Sequence, residues 1–555
     1  MSVAETRRDQ IFPTLTAAQV AVAIRFASGE PSRFEPGALL YDVGDRAAPI
    51  WLVIEGHIDV SRQDGLGRTT PIVREGPGQF SGEVSQLGGR ASLVLGRAGP
   101  DGCTAVPFDA PHLRALLVGS AEIGEIMMRA LILRRVGLLE SQNAGAVLVG
   151  RSASADLLRL QGFLARNAHP FSIIDVERDD QAQHLVAKLG VMADDWPLLL
   201  CPDGTLLRNP SDAEAATCLG MLPDLDPAKV YDVAIIGAGP AGLATAVYSS
   251  SEGLSTLVVD CRSMGGQAGA SARIENYLGF PTGISGHALA GRAFSQAQKF
   301  GAELAIPLEA LSLDCGATER PFGIVLSTGT TVQARAVVIA SGARYRRPAI
   351  ADLATFEGAG ISYWASSIEA KLCEGQEIAL VGGGNSAGQA VVFLAPRVRK
   401  LHLVVRGAGL ESSMSRYLID RIRALPNVEL HSQTEIIALE GDREIGLAGA
   451  VFRDRKTGVD QRRPLRHVFL FVGADPNTDW LNGCVALDGT GFIRTGVEPG
   501  SFPLETSRRG VFAVGDVRAG STKRVAAAVG EGAAVVAQIH AAFGGRRVQD
   551  PAAHA

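Results

Sequence analysis

The chain has 555 residues, 46% of them hydrophobic and 20% charged, with a formal net charge of −5. That length exceeds what one hydrophobic core supports, so about three or four domains are expected. The mildly acidic balance supplies no basic footprint for nucleic acid or an anionic membrane.

The opening residues carry no apolar signal core, and the apolar stretch near Val525 is interrupted by Glu531, so no membrane span is expected and cytoplasm is the expected compartment. Seven cysteines are scattered with no Cys-x-x-Cys among them. This argues against a zinc ribbon, a disulfide framework or a thioredoxin-type dithiol, and no metal centre is expected.

Up to about residue 140, short strand-like runs such as Ile50-Trp-Leu-Val-Ile-Glu alternate with Gly/Pro turns, and a helical stretch from Leu113 to Glu140 closes the region. Short strands at this spacing predict a β roll or barrel. The region resembles the cyclic-nucleotide-binding domain, whose phosphate cassette opens with Phe-Gly-Glu and ends in an arginine. Phe80-Ser-Gly82-Glu83 matches the opening with one inserted serine; Arg90 comes early, and Ala91-Ser92-Leu93 departs from the family's residues beyond its arginine. A docking domain without ligand is the expected role, with cyclic nucleotide binding as the alternative.

Residues 143–222 read as alternating strands and helices: Ala146-Val-Leu-Val, a helix through Leu164, Phe171–Val176, a helix through Leu189, then Leu198-Leu-Leu. Trp196-Pro197 ahead of that last strand resembles the cis-proline of the thioredoxin/glutaredoxin fold. Where that fold carries its dithiol, this chain reads Arg151-Ser-Ala-Ser154, and Cys201 is expected to be a small buried hydrophobe.

Val233-Ala-Ile-Ile-Gly237-Ala-Gly239-Pro240-Ala241-Gly242 is a β-branched run, a glycine turn and the start of an alanine-rich helix. Such a turn lets the backbone approach a dinucleotide pyrophosphate and points free helix N–H groups at its charge. Asp260, about twenty residues on at the end of the next strand, suits a free ribose 2′-hydroxyl. Further on come Gly265-Gly266-Gln267, Ile274-Glu-Asn276, Val337-Val-Ile-Ala-Ser-Gly342 and Gly510-Val-Phe-Ala-Val-Gly515-Asp516. Together these resemble, in order, the low-molecular-weight thioredoxin reductase family across roughly residues 230–545.

That resemblance implies a multidomain doubly wound α/β flavoprotein fold with FAD and an NAD(P)H substrate. Gly237, Gly239, Pro240, Ala241, Gly242 and Asp260 would hold the adenosine end of FAD, and Gly266, Gln267 and Asn276 would line the flavin. Gly515, Asp516, Arg524, Val525 and Ala526 would contact the ribityl and isoalloxazine end. The expected division is 228–349 and 463–545 for FAD, with 350–462 inserted for NAD(P)H. A homodimer is implied as well.

The second turn, Ile378-Ala-Leu-Val-Gly382-Gly-Gly384-Asn385-Ser386-Ala387, falls in that insertion. Its next strand ends in Arg406 rather than an acid, which favours the 2′-phosphate of NADPH over the hydroxyl of NADH. The family shows consecutive arginines there and another a few residues on; this chain has Gly407 and Glu411, with Arg416 as a substitute.

The family's dithiol motif, Gly-x-Ser-Tyr-Cys-x-x-Cys-Asp, reads here Gly360-Ile-Ser-Tyr363-Trp364-Ala-Ser-Ser367-Ile-Glu369. Trp364 and Ser367 stand on the cysteine positions, and neither can store electrons as a disulfide. Glu369 is the candidate replacement for the motif's acid, and Cys373 the nearest thiol.

The expected chemistry is hydride transfer from NADPH to FAD. Electrons then pass to an acceptor that reaches the flavin directly: a quinone, a disulfide protein, an iron–sulfur protein or oxygen. A regulatory flavoprotein, or a thioredoxin reductase working through Cys373, are the alternatives.

Overall fold

Val, Ile and Ala dominate the strands of the C-terminal half because these strands are covered on both faces, as a parallel sheet requires. In the computed structural model, which describes residues 7–46, 48–63, 68–82, 84–88, 90–140, 145–151, 154–178, 191–314, 321–442 and 446–544, Val230–Ile236 lies between two parallel neighbours. Ala234 stands opposite Leu257 of Thr256–Val259 on one side and Val337 of Thr331–Ile339 on the other. Glu303–Ala305 extends one edge, Val511–Ala513 pairs with Thr331–Ile339, and antiparallel Phe322–Leu326 and Ala310–Asp314 complete the sheet.

Two helices, Pro240–Ser251 and Val525–Phe543, pack together over this sheet, and a Cβ at Gly532 would strike the Ala241 carbonyl. Val525–Phe543 is the one helix among the described residues long and apolar enough to cross a membrane. Its Val535, Val536 and Ile539 have no solvent exposure and belong to the core with Val233 and Ile235.

A second parallel sheet runs Ile361–Ser362, Val468–Leu470, Glu377–Val381, Lys400–Val404, Val428–His431. A three-stranded antiparallel sheet, Thr434–Asp442, Gly446–Asp454 and Asp460–Arg463, joins the core on one face of it through Ile436 and Phe452. The boundary expected after residue 462 is therefore misplaced, because Val468–Leu470 is a central strand of the inserted unit. The chain crosses between the two units through Ala343–Tyr345 and Ala474–Pro476, which pair antiparallel.

In the N-terminal region, strands Ile50–Gln63 and Val94–Phe108 share a long antiparallel ladder flanked by Ser32–Phe34, Leu39–Tyr41 and Thr69–Glu75. The closing helical stretch is two helices, Ala110–Gly119 and Ala121–Glu140, broken at Ser120, which is extended. Arg134 of the second is buried and donates to the carbonyls of Ile11, Phe80 and Gly82, with Glu75 at 3.1 Å. Glu83 lies outside the described residues. Arg90 sits over the Phe294 ring of the unit built on the Val230–Ile236 sheet, 5.1 Å from its centroid.

The middle region forms a sheet in the order Phe171–Asp175, Ala146–Gly150, Leu198–Leu200, Leu206–Arg208, the first pair parallel and the rest antiparallel. The Trp196–Pro197 peptide is cis. Ser154 caps the helix Ala155–Arg166, while residues 152–153 and most of the expected helix through Leu189 lie outside the described residues.

The expectation for Cys201 fails as well. Cys201 is buried, but it is disulfide-bonded to Cys218, with Cα atoms 6.3 Å apart at a sequence separation of 17. The helix Asp212–Cys218 folds back on the strand Leu198–Leu200 and brings the two sulfurs together, a juxtaposition made by tertiary packing that a search for close Cys spacing does not see.

Candidate active site

The first glycine turn is dictated by backbone crowding. Gly237 has φ +116°, and a Cβ on it would run into the Ala340 carbonyl, while one on Gly242 would run into the carbonyl of Gly237. Gly239 precedes the helix with no side-chain cap, Pro240 occupies the first helical position, and a Cβ on Gly239 would meet nothing within 4 Å. Uncapped helix N–H groups facing open space suit a pyrophosphate, so the residues present fit FAD.

Asp260 closes this turn. Its Oδ2 accepts from Ala238 N at 2.8 Å, and its Oδ1 from Arg262 N at 2.8 Å and Ser263 N at 3.1 Å. Loss of hydration pushes the carboxyl above its usual range, and these backbone donors pull the other way. The residue expected on the ribose thus also ties the turn to the neighbouring strand.

Gly265 N donates to Ala238 O at 2.7 Å, and Gln267 Nε2 donates to Ala343 O, which lays the Gly-Gly-Gln segment across the turn. Gly515, with φ +75°, sits against Ala241 and donates its N–H to Glu531 Oε2 at 2.7 Å. Arg518 Nη2 holds Glu531 Oε1 at 2.5 Å. Glu531 was visible in the sequence only as an interruption of an apolar helix; an isolated acid in such a helix is the signal for this role.

Asp516, half-buried, has its carboxyl raised by burial, with Lys523 opposing. Arg524 precedes Val525–Phe543 without a side-chain capping bond and, like Ala526, is exposed; Val525 is half-buried. Asn276 is exposed and lies two residues beyond Ile274, which bridges to Ile284.

The second turn repeats the backbone solution. Gly382 has φ +144° and leaves no room for a Cβ beside the Phe471 carbonyl, and Gly384 precedes the helix Asn385–Leu394 uncapped, in open space. Asn385 Oδ1 accepts from Ser415 N at 2.7 Å and Ser413 Oγ donates to Gly383 O at 2.8 Å, folding the following loop onto the turn. Ala387 is buried, whereas Ser386 and Arg406 are exposed. Glu411 is paired with Arg423 at 2.6 Å, and Arg416 with Asp420 at 3.0 Å. Arg406 is thus an exposed arginine just beyond the strand end.

Between the turns, Trp364 Nε1 donates to Glu369 Oε1 at 2.9 Å. Glu369 Oε2 accepts from Ser366 N at 3.0 Å and from the Ser366 hydroxyl, forming a capping box for the helix Ser367–Leu372. Glu369 is therefore engaged in three hydrogen bonds, a structural role in place of the free acid the sequence offered. Ser367 is the first residue of that helix. Arg166, from the middle region, lies over the Trp364 ring at 5.6 Å from its centroid. Sequence reasoning missed this contact because it joins regions almost 200 positions apart.

Cys373 is fully buried, with its thiol pushed up to about 11 chiefly by burial. Cys261 is likewise raised to about 11 by lost hydration and the Asp260 charge, and Cys103 is raised by burial. None of these three free thiols is activated toward a thiolate.

Two open glycine turns, each at the C-terminal end of a parallel strand, define a two-nucleotide oxidoreductase. Residues 231–532 match the family described as pyridine nucleotide-disulphide oxidoreductase, and the chain belongs to it. The thioredoxin reductase of Mycolicibacterium smegmatis is 33% identical over 310 residues, 55% of this chain and 94% of that one. The NADPH-dependent thioredoxin reductase 3 of Arabidopsis thaliana is 33% identical over 308 residues, 55% of this chain and 56% of its own length. In structure, T. acidophilum thioredoxin reductase superposes with a TM-score of 0.52 at 28% identity, covering 56% of this chain and 98% of that one. The chain is an NAD(P)H-dependent flavin oxidoreductase with a thioredoxin reductase-like core.

Proposed function

We propose that this enzyme takes a hydride from NADPH onto FAD and delivers electrons to an acceptor without a Cys-x-x-Cys relay of its own. The observation that carries this reading is the segment between the turns. There, Trp364 is hydrogen-bonded to a carboxylate that caps the next helix, and its ring lies under the Arg166 guanidinium. FAD, when bound, supplies the hydride acceptor and the electron store. Gly239 leaves open space for it, Gly237, Gly242 and Gly515 permit the close backbone packing that shapes the turn, Asp260 has lone-pair capacity left for the ribose, and Gln267 holds the flanking loop. Gly382, Gly384 and Asn385 shape the NADPH turn, and Arg406 supplies the charge that prefers NADPH to NADH.

The N-terminal region is read as a cyclic-nucleotide-binding-like β roll serving as a docking domain, and residues 143–222 as a thioredoxin-like module without a CxxC. Arg90, the arginine nearest the cassette, lies over Phe294, which supports docking over cyclic nucleotide binding. A cytoplasmic homodimer is the working assembly.

The test is anaerobic mixing of the purified flavoprotein with NADPH and with NADH, followed by a panel of quinone, disulfide-protein, iron–sulfur and oxygen acceptors. Fast flavin bleaching by NADPH and turnover with one acceptor class well above the oxygen background support the reading. Bleaching with no acceptor above that background shifts the assignment to a regulatory flavoprotein.

A further inference from the structure

The parallel sheet bearing the second glycine turn carries a polar cluster on its other face. Ile378, Leu380, Leu401 and Leu403 pack under the helix Asn385–Leu394, so Glu377, Ala379 and His402 face the antiparallel sheet instead. His402 is in register with Glu429 on the adjacent strand, and His431, two residues further, returns to the same face.

The donor atoms converge. His402 Nδ1 and His431 Nε2 are 2.8 Å apart. Glu429 Oε1 is 3.4 Å from His431 Nε2, and its Oε2 is 3.8 Å from His402 Nδ1. His402 has no solvent exposure, and Phe452 stands edge-on to both rings with centroids at 5.9 and 5.6 Å. On the far side, His402 Nε2 meets Glu377 Oε1 at 2.7 Å.

We infer that His402, His431 and Glu429 form a divalent-cation site of the zinc class, with Glu377 as the outer carboxylate that orients His402. Tetrahedral zinc with bonds of about 2.0–2.2 Å has ligand–ligand edges of roughly 3.3–3.6 Å. The three separations, 2.8, 3.4 and 3.8 Å, straddle that range, so small side-chain rotations suffice. Two imidazoles and one carboxylate are a donor set zinc accepts with a fourth position open, and imidazole disfavours calcium or magnesium.

Glu377 fixes the proton of His402 on Nε2 and leaves the Nδ1 lone pair aimed into the cluster, the carboxylate–histidine–metal arrangement. Without a cation, His431 Nε2–H donates to His402 Nδ1; cation binding at Nε2 moves that proton to His431 Nδ1, so both imidazoles ligate in the neutral form. Lys400 Nζ holds Glu429 Oε2 at 2.6 Å, which leaves Oε1 for the cation, and Arg399 lies 3.2 Å from Glu377. Because the cluster joins neighbouring strands on the face away from the nucleotide helix, the cation clamps the sheet and takes no part in hydride transfer.

Sequence reading gave no sign of a metal centre, because the ligands come from two strands and share no local motif.

The experiment uses the full-length, untagged protein, stripped with chelator and titrated with Co²⁺ as the probe, then with Zn²⁺ in competition. One Co²⁺ per chain with four-coordinate ligand-field absorption, displaced by Zn²⁺, is expected. His431→Ala should abolish those bands, and Glu377→Gln should weaken binding by about 10–100-fold. Circular dichroism checks that both variants are folded. Absence of stoichiometric Co²⁺ binding in the unmodified chain overturns the assignment. So does unchanged binding in both folded variants, and the cluster is then a hydrogen-bonded histidine pair only.

Discussion

The two glycine turns share one backbone and differ in the charge that closes them. At the first, the carboxylate of Asp260 is held by three backbone N–H groups and sits within the turn. At the second, the turn is closed by neutral Asn385 and Ser413, and the charge at the strand end is the exposed cation Arg406. On the function proposed above, backbone shape answers the pyrophosphate, common to both nucleotides, and the sign of one side chain answers the ribose. The segment between them is closed by side chains instead: Trp364 and Ser366 are tied to the carboxylate of Glu369, and Arg166 lies over the Trp364 ring.

The strongest way to break this comparison is to fill each turn. Gly237→Val places a side chain against the Ala340 carbonyl at a φ that non-glycine residues avoid, and the protein is expected to purify without flavin. Gly382→Val, blocked in the same way by Phe471, should retain full flavin and lose reduction by NADPH. The flavin-to-protein absorbance ratio and anaerobic bleaching read the two outcomes; a Gly237→Val protein carrying full flavin would reverse the assignment of the turns.

Next in size is the charge. A charge-assisted hydrogen bond contributes about 1.5–3 kcal/mol, so Arg406→Ala should cut the preference for NADPH over NADH by about 10–100-fold. The NADH rate should hardly move. Rapid-mixing measurement of flavin reduction with each nucleotide checks this, and an equal loss with both would place Arg406 in positioning rather than discrimination.

These features were legible in sequence because each is local: glycines at fixed offsets, an acid or an arginine at the end of the next strand. What was not legible depends on contacts across long separations. Asp260 is the acid expected on a ribose, but its bonds to Ala238, Arg262 and Ser263 needed the folded turn. The Cys201–Cys218 bond depends on a helix folding back, and Arg166 over Trp364 on the packing of two regions. The strand Val468–Leu470 was assigned to the wrong unit because an apolar triplet fits either sheet, and only pairing with Glu377–Val381 decides.

A smaller effect is expected at the cap between the turns. Glu369→Ala removes the acceptor for Trp364 Nε1, Ser366 N and the Ser366 hydroxyl at once. Losing a helix cap of this kind costs about 0.5–2 kcal/mol. The melting temperature should fall modestly while flavin reduction by NADPH stays within about twofold, a free-energy change of less than about 1 kcal/mol. A large loss of turnover at unchanged stability would instead make Glu369 a working acid.

The smallest effect is expected where the thioredoxin reductase reading most needs a large one. Cys373 is four residues from Glu369 on the same helical segment, fully buried, with its Sγ near the Ala370 carbonyl at 3.7 Å. Burial pushes its thiol up to about 11. A group raised in this way stays protonated through neutral pH, and only above that value does the thiolate needed for attack on a disulfide prevail. Cys373→Ser should therefore leave both flavin reduction and any disulfide reduction within about twofold of the unmodified enzyme, and their pH profiles superimposable between pH about 6 and 9. Were Cys373 the relay, disulfide reduction would vanish in the variant while flavin bleaching persisted, and the unmodified enzyme would gain activity steeply as pH rises toward the thiol's titration. A buried serine in the same place exchanges a weak donor for a stronger one beside the Ala370 carbonyl, so the fold has a partner ready for it and the comparison reads chemistry rather than stability.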